Sequence, residues 1–356
     1  MVRVLIAEDS VTAAELLSHV LASDPDIDVI GVAKNGLEAV RLVSELKPDL
    51  VTMDIHMPRL DGVEATRRIM VERPTPIVIV SLEVDSEQAS AALNALGAGA
   101  LALQPKLPDP GSDAFDASAA RLLSTVKAMA SVKVVRRWEA RPKVPEAPPA
   151  APPAAPGPAR ERASVVGVAA STGGPPALFQ LLAELPRDFP APLLVVQHIS
   201  PGFEESLASW LDGAGPLRVK LAEPGEEARP GHVYVAPRDR HLAITATGRV
   251  RLSDAPPVRG FRPSASVLFS ALAEAAPDSA LGVILTGMGE DGVDGLCRLS
   301  RAGGRVIAQD QASSVVWGMP GAAVAAGVTD LVLPLSAIAP KLIALTRHER
   351  TRNDRT

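Results

Sequence analysis

The first 130 residues alternate between short apolar runs and longer segments in which apolar residues recur at helical spacing. Each apolar run is bounded by polar or turn residues, which is typical of a buried strand in a parallel sheet. This alternation predicts a doubly wound α/β domain with a five-stranded parallel sheet. The predicted strands are Val2–Ala7, Val29–Ala33, Leu50–Met53, Ile77–Val80 and Ala100–Leu103. The predicted helices are Thr12–Ala22, Gly36–Leu46, Gly62–Val71, Ser86–Leu96 and Asp113–Ala130.

Charged and hydroxyl side chains follow four of these strands. Glu8 and Asp9 follow the first strand, Asp54 the third, Ser81 the fourth, and Lys106 lies just beyond the fifth. The carboxyl ends of the strands form the binding edge of an open α/β sheet, and grouped carboxylates there suit a hard divalent cation such as Mg²⁺. A hydroxyl and an ammonium group across from them suit a phosphoryl group. Helix capping could explain any one of the acids, but not five matching positions.

A segment rich in proline and alanine separates the two halves of the chain. Residues 141–163 contain eight prolines, a composition that cannot form a packed core and favours an extended spacer. A proline-rich ligand for a partner domain is the less common alternative. We expect the linker at residues 131–162, with domains at 1–130 and 163–348 and a polar tail at 349–356.

The second half returns to apolar runs and helical spacing and predicts a second, mostly parallel α/β domain with an antiparallel excursion. The apolar strands are expected at 165–170, 193–196, 281–285, 305–308 and 331–333. The segments 218–222, 232–236, 241–245 and 249–252 are typical of hairpin strands.

Ser171 lies where the first of these strands ends. Gly173 and Gly174 follow, and Pro175 opens an apolar-periodic helix. Glycines permit close approach of a ligand, and a helix start presents free N–H groups. Ser171 is therefore a candidate nucleophile or a candidate phosphate contact. The stretch matches no common nucleophile or nucleotide motif, so a purely structural glycine turn is an alternative of similar weight.

Two further strand ends carry residues that could complete a catalytic set. His198 follows the strand at 193–196, and Asp291 follows the strand at 281–285. A nucleophile, a base and an orienting acid could meet above one sheet edge. Each also has an ordinary structural explanation, since strand-end histidines are often half-buried and Asp before Gly is often a turn. His232 and His241, beside the hairpin strands, are weaker candidates for the base.

Composition narrows the classes of function. The net charge of −5 over 356 residues gives no sign of the basic surface that binds nucleic acids. The single cysteine, Cys297, excludes an internal disulfide framework. The amino terminus is not typical of a signal peptide, and no stretch is long enough to span a membrane. We expect a cytoplasmic protein that does not insert into the membrane.

The N-terminal pattern resembles the response-regulator receiver family, which has a flavodoxin-like fold. The resemblance is carried by the strand-end residues together with the segment Met53–Gly62. It implies that Asp54 is the phosphoacceptor, that Ser81 contacts the phosphate and that Lys106 pairs with it. It implies Mg²⁺ ligands from Glu8, Asp9, Asp54 and the His56 backbone carbonyl. Leu107 stands where the family usually has proline, and an alternative register would place Gln104 at the lysine position.

The C-terminal half resembles the chemotaxis protein-glutamate methylesterases of the CheB type. The matching segments are Ala170–Pro175, Val196–His198, Ala236–His241, Arg262–Ser264 and Leu285–Gly292, extended by Gln309–Asp310 and Ser313–Pro320. The resemblance implies a Ser171–His198–Asp291 triad that demethylates glutamate γ-methyl esters on chemoreceptors and deamidates glutamines. Backbone groups near Thr172, Gly173 and Met288 would support the oxyanion.

The resemblance also implies a pathway and its partners. A histidine kinase would donate the phosphoryl group, chemoreceptors would be the protein substrate, and the esterase reaction would need no cofactor. We expect a monomer in which phosphorylation of Asp54 relieves inhibition by the receiver. The alternative is a receiver-gated module that binds a nucleotide or phosphate and has no hydrolase activity.

Overall fold

The computed structural model describes residues 1–81, 86–132, 134 and 163–346. Most of the predicted linker and the whole predicted polar tail lie outside these residues. Among the helices of the described residues, none is both long enough and apolar enough to cross a bilayer.

The N-terminal domain contains the predicted five-stranded parallel sheet, with strand order β2-β1-β3-β4-β5. Its first three helices begin where the sequence provides side-chain caps, which are Ser10 before α1, Asn35 before α2 and Asp61 before α3. The strands are β1 (Val2–Ala7), β2 (Ile27–Ala33), β3 (Leu50–Met53), β4 (Ile77–Ser81) and β5 (Ala102–Pro105). The helices are α1 (Val11–Ala22), α2 (Gly36–Leu46), α3 (Gly62–Glu72), α4 (Ser86–Ala98) and α5 (Phe115–Ala130).

The C-terminal domain is built on a seven-stranded parallel sheet with order β14-β13-β12-β6-β7-β9-β8, beside a two-stranded antiparallel hairpin, β10-β11. The strands are β6 (Val165–Ala170), β7 (Leu193–Gln197), β8 (Arg218–Leu221), β9 (His232–Val235), β10 (His241–Ile244), β11 (Val250–Ser253), β12 (Ala280–Ile284), β13 (Arg305–Gln309) and β14 (Leu331–Leu333). The helices are α6 (Gly174–Ala183), α7 (Glu204–Asp212), α8 (Ala265–Ala275), α9 (Val293–Arg301), α10 (Met319–Ala325) and α11 (Leu335–Thr346). Strands β6, β7 and β12 are buried along their whole length, which explains their continuous apolar sequences.

The prediction that all four segments from 218 to 252 form hairpins was wrong for the first two. Strands β8 and β9 pair in parallel and extend the main sheet. The connection at 222–231 hydrogen-bonds to the β11 region, since Gly225 N donates to Val250 O and Val250 N donates to Glu226 O. This connection carries the chain back to the start of the sheet, so that β9 can run in the same direction as β8. Strand β5 also begins two residues later than predicted.

The two domains pack against each other through α4 of the first and α6 and α7 of the second. Trp210 of α7 donates a hydrogen bond from its indole Nε1 to Asn94 Oδ1 of α4 at 3.1 Å. Within the C-terminal domain, its ring lies against Phe179 of α6 in a tilted arrangement, with centroids 4.5 Å apart. Val315 and Val316 of the C-terminal domain pack against the apolar core of the N-terminal domain. The N-terminal domain therefore lies over the carboxyl edge of the second sheet.

Candidate active site

Ser171 lies at the carboxyl end of β6, between β12 and β7. Its backbone N–H donates to Thr286 O at 3.0 Å, and its carbonyl accepts from Gly174 N at 2.8 Å to close the turn into α6. Gly173 adopts a φ of +74° in this turn, a conformation that favours glycine. A Cβ on Gly173 would also lie 2.6 Å from the side chain of Val315. The double glycine is thus explained by the turn that presents Ser171.

His198 follows β7 directly and its imidazole is fixed on two sides. Its Nε2 lies 3.0 Å from Asp291 Oδ2, and its ring stacks on Phe261 with centroids 4.2 Å apart and planes 9° from parallel. Among the described residues, its Nδ1 is buried without a hydrogen-bond partner. A ring that donates Nε2–H to a carboxylate keeps Nδ1 as a proton acceptor.

Asp291 is surrounded by hydrogen-bond donors. Its carboxylate accepts from Ser264 Oγ at 2.8 Å and from the backbone N–H groups of Ala265 at 2.7 Å and Ser266 at 3.2 Å. These groups begin α8, whose amino terminus favours a negative charge. Burial alone would raise the pKa of Asp291, but the hydrogen bonds from His198, Ser264 and Ala265 outweigh it and lower the pKa to about 2. The carboxylate is therefore a permanent anion beside His198.

Ser171 and His198 line one cavity of about 480 Å³. The two rival histidines do not line it. His241 is buried, with Nδ1 accepting from Ser264 N and Nε2 beside Pro256 O, while His232 Nδ1 lies beside Pro230 O. The structure thus brings together Ser171, His198 and Asp291 and leaves the other two histidines out.

The three residues predicted to support the oxyanion do not lie together, because Thr172 and Gly173 line the cavity and Met288 does not. Among the described residues, the backbone N–H groups of Thr172 and Gly173 donate to no protein acceptor, although both residues line the cavity. Thr286 Oγ1 donates to Thr172 O at 2.9 Å and supports this turn. The side chain of Met288 is 37% exposed and lines a neighbouring cleft between the domains. The first two residues are better placed than Met288.

At the edge of the N-terminal sheet, one carboxylate oxygen from each of Glu8, Asp9 and Asp54 lies within 4.8 Å of the others. Lys106 Nζ is 2.8 Å from Glu8 Oε2 and 2.9 Å from Asp54 Oδ2. Ser81 is buried at the end of β4, and His56 is exposed two residues beyond Asp54. In the alternative register Gln104 would take the lysine position, but its side chain donates to Thr125 Oγ1 instead.

The charges of this cluster influence one another. Burial raises the pKa of Glu8, and the negative charge of Asp54 raises it further, against the hydrogen bond from Lys106. Burial would lower the pKa of Lys106, but its hydrogen bonds to Glu8 and Asp54 outweigh burial and raise it. Three oxygen donors with an excess of negative charge fit a hard divalent cation such as Mg²⁺.

The fold and these two sites define a hydrolase coupled to a receiver domain. Residues 166–342 match the CheB methylesterase family, and residues 4–103 match the response regulator receiver domain family. A protein-glutamate methylesterase/protein-glutamine glutaminase of Myxococcus xanthus is 54% identical over 97% of this chain and 97% of its own length. One from Anaeromyxobacter dehalogenans is 54% identical over 96% of this chain and 98% of its own.

Among solved structures, the methylesterase catalytic domain of Thermotoga maritima CheB is 43% identical and superimposes with a TM-score of 0.50. It covers 52% of this chain and 99% of the matched chain. This chain belongs to the family of protein-glutamate methylesterases/protein-glutamine glutaminases. The matches confirm the predicted fold class and do not favour a binding module without hydrolase activity.

Three residues at the site had no role assigned from the sequence, although two of them fall within matching segments. Ser264 donates to Asp291, Phe261 stacks on His198, and the Gln197 side chain donates to the Ser171 carbonyl. Each acts through a contact between segments far apart in the chain. A spacing signal within one segment could not reveal them.

Proposed function

We propose that this protein hydrolyses glutamate γ-methyl esters, and the amides of glutamines, on the cytoplasmic parts of chemoreceptors through Ser171, His198 and Asp291. The observation that supports this most strongly is His198, which is held by buried Asp291 and lines one cavity together with Ser171 on its strand-to-helix turn. This is the arrangement of nucleophile, base and orienting acid that acyl transfer requires.

In the proposed mechanism, His198 Nδ1 removes the proton of Ser171 Oγ as the oxygen attacks the γ-carbonyl carbon of the substrate. Asp291 stabilises the resulting imidazolium through Nε2–H. The free N–H groups of Thr172 and Gly173 stabilise the negative charge on the carbonyl oxygen. The intermediate collapses as His198 returns the proton to the leaving methoxide, which departs as methanol. Water, deprotonated by His198, then attacks the acyl-enzyme. The bond to Ser171 Oγ breaks as His198 returns the proton to that oxygen, which releases the glutamate carboxyl group and restores the enzyme. From glutamine, ammonia leaves instead.

Methanol release from a methylated receptor fragment tests this assignment. Ser171→Ala should lose activity by about 10⁵-fold or more, because loss of a triad nucleophile removes the covalent route. The thermal stability of the variant should stay close to wild type, since the side chain is small and lines a cavity. Activity within about tenfold of wild type would contradict the triad.

We further propose that the receiver inhibits the esterase by covering it. Seven residues of the N-terminal domain line the same cavity as Ser171 and His198: Leu96, Leu101, Ala102, Leu103, Gln104, Arg121 and Thr125. A receptor helix carrying the scissile ester must occupy this space. Demethylation therefore requires the receiver to move away.

In this proposal, phosphorylation of Asp54 causes the receiver to move away from the cavity. The phosphoryl group adds negative charge beside Lys106 and Ser81, and Mg²⁺ held by Glu8, Asp9 and Asp54, with the His56 carbonyl, would help to balance that charge. Ser81 ends β4, and the chain then leads into α4, the helix that holds Trp210 of the catalytic domain. Rearrangement around Ser81 would thus act on the docking helix. A tenfold increase in opening requires only about 1.4 kcal/mol.

Acetyl phosphate with Mg²⁺, standing in for a histidine kinase, should raise the esterase rate of the full chain. Asp54→Asn should abolish the increase and leave the basal rate unchanged. An equal increase in Asp54→Asn would show that the phosphodonor acts elsewhere.

A further inference from the structure

Gln197 ends β7 and lies next to Ala170 in the parallel pairing of β6 with β7. It therefore lies where the two strands that lead to Ser171 and His198 end side by side, and it is 5% exposed. Its side-chain Nε2 donates to two carbonyl groups, those of Ser171 and of His198, each at 2.8 Å. One planar amide thus joins the backbones of the nucleophile and the base.

The other end of the amide shows that this orientation is enforced. Among the described residues, Gln197 Oε1 is buried without a hydrogen-bond partner. It faces Gly174, where an added Cβ would lie 2.0 Å from the oxygen. A reversed amide would set Oε1 against two carbonyl oxygens, which repel it. The chain leaves one buried acceptor unsatisfied, at a cost in stability, to keep both donors on Ser171 and His198.

We propose that Gln197 is a positioning residue for the hydrolysis reaction. It fixes the distance between the backbones of Ser171 and His198, while Asp291 and Phe261 fix the plane of the imidazole. The inference rests on the proposed function, because it assigns a use to the distance between nucleophile and base. Misplacement of a reacting group by about 1 Å can cost roughly a hundredfold in rate.

The test measures kcat and KM for a methylated receptor fragment with the full chain, acetyl phosphate and Mg²⁺. Gln197→Met keeps the length of the side chain and removes both donors. We expect kcat to fall by roughly tenfold to a hundredfold while KM stays within about twofold. Gln197→Glu should be worse at neutral pH, because a carboxylate would face two carbonyls. It should recover in part at lower pH, where a protonated carboxyl regains one donor.

Tyr234→Phe is the matched control. Tyr234 is buried on the next strand, β9, and its hydroxyl donates to Glu227 O and accepts from Arg229 N, both at 3.0 Å. Loss of this hydroxyl also removes two hydrogen bonds of a buried side chain, and neither of them involves Ser171 or His198. We expect a lower melting temperature for Tyr234→Phe with kcat unchanged.

The outcomes separate the two proposals. An unchanged kcat in Gln197→Met, with Ser171→Ala inactive, would overturn the positioning role alone. An active Ser171→Ala would overturn the triad itself. A fall in kcat of the same size in Tyr234→Phe would show that Gln197 contributes only to stability. If Gln197→Met does not fold, the pH dependence of kcat in Gln197→Glu decides, and a flat ratio to wild type would count against the proposal.

Discussion

Two buried carboxylates, Glu8 and Asp291, lie at the carboxyl edges of the two parallel sheets in opposite electrostatic environments. The pKa of Glu8 is raised by burial and by Asp54, whereas the pKa of Asp291 is lowered to about 2. The difference comes from hydrogen-bond donors. Asp291 accepts three hydrogen bonds from the start of α8 besides its contact with His198. Glu8 accepts one backbone hydrogen bond, from Ser10 N at 3.2 Å, and shares Lys106 with Asp54.

The carboxyl edges of two parallel sheets in one chain therefore serve two kinds of chemistry. A carboxylate surrounded by side-chain and backbone donors holds a constant charge, which suits a group that orients a catalytic base. Crowded carboxylates with one shared cation repel one another, and an added divalent cation relieves that repulsion. The number of fixed donors around the acid decides between these two uses.

The largest expected effect on the esterase rate comes from removing the negative charge of Asp291. Asp291→Asn should lower the esterase rate by roughly 10⁴-fold, because an amide cannot stabilise the imidazolium and can hold the wrong tautomer of His198. The melting temperature, measured alongside, should show that the fold persists. A loss below about tenfold would place the orienting charge elsewhere.

The low pKa of Asp291 also predicts how stability depends on pH. A carboxyl with a lowered pKa stabilises the fold above its ordinary pKa of 3.8, and this contribution is lost as the pH falls towards about 2. It amounts to roughly 2 kcal/mol. Chemical unfolding of residues 163–348 should give a difference between wild type and Asp291→Asn that narrows from pH 5 to pH 2. A constant difference would contradict the hydrogen-bond explanation.

A smaller effect on the esterase rate is expected from the contact between Trp210 and Asn94, which joins the two domains. Trp210→Ala removes the hydrogen bond to Asn94 and the packing of the indole between α7 and α4. Loss of about 1.4 kcal/mol of docking energy should raise the unphosphorylated rate up to about tenfold. Asn94→Ala should do the same to a lesser extent. Both variants should match wild type once acetyl phosphate is present, and a change in that phosphorylated rate would indicate a direct effect on catalysis.

The smallest expected effect is on the melting temperature of the receiver, through the cluster of Glu8, Asp9 and Asp54. Mg²⁺ should raise the melting temperature of the wild-type receiver by a few degrees, through roughly 1 kcal/mol of binding energy. Glu8→Gln should abolish this increase, and EDTA should reverse it in wild type. Glu15→Gln, at an exposed position on α1, is the control and should keep the full increase. An undiminished increase in Glu8→Gln would remove this residue from the predicted metal site.

The sequence predicted the strand ends well because apolar runs and turn residues are local features. It placed Ser171, His198 and Asp291 at separate strand ends, and the parallel order of β7, β6 and β12 brings those ends together. It could not distinguish Lys106 from Gln104, because the choice depends on a salt bridge to Asp54 across the sheet. The prediction of a hairpin for β8 and β9 was wrong because the direction of a strand depends on where the preceding connection packs, and the apolar pattern of the strands does not show this. Gln197 and Phe261 gave no signal, since their partners lie in other segments.

The cavity that both domains line determines how the receiver would affect the kinetics of the enzyme. Because the receiver and the substrate helix would occupy the same space beside Ser171, the docked receiver corresponds to a tethered competitive inhibitor. On this mechanism the unphosphorylated enzyme has a raised apparent KM and an unchanged kcat. A high local density of receptors would then displace the receiver by mass action, and phosphorylation would set the receptor density at which the enzyme begins to work.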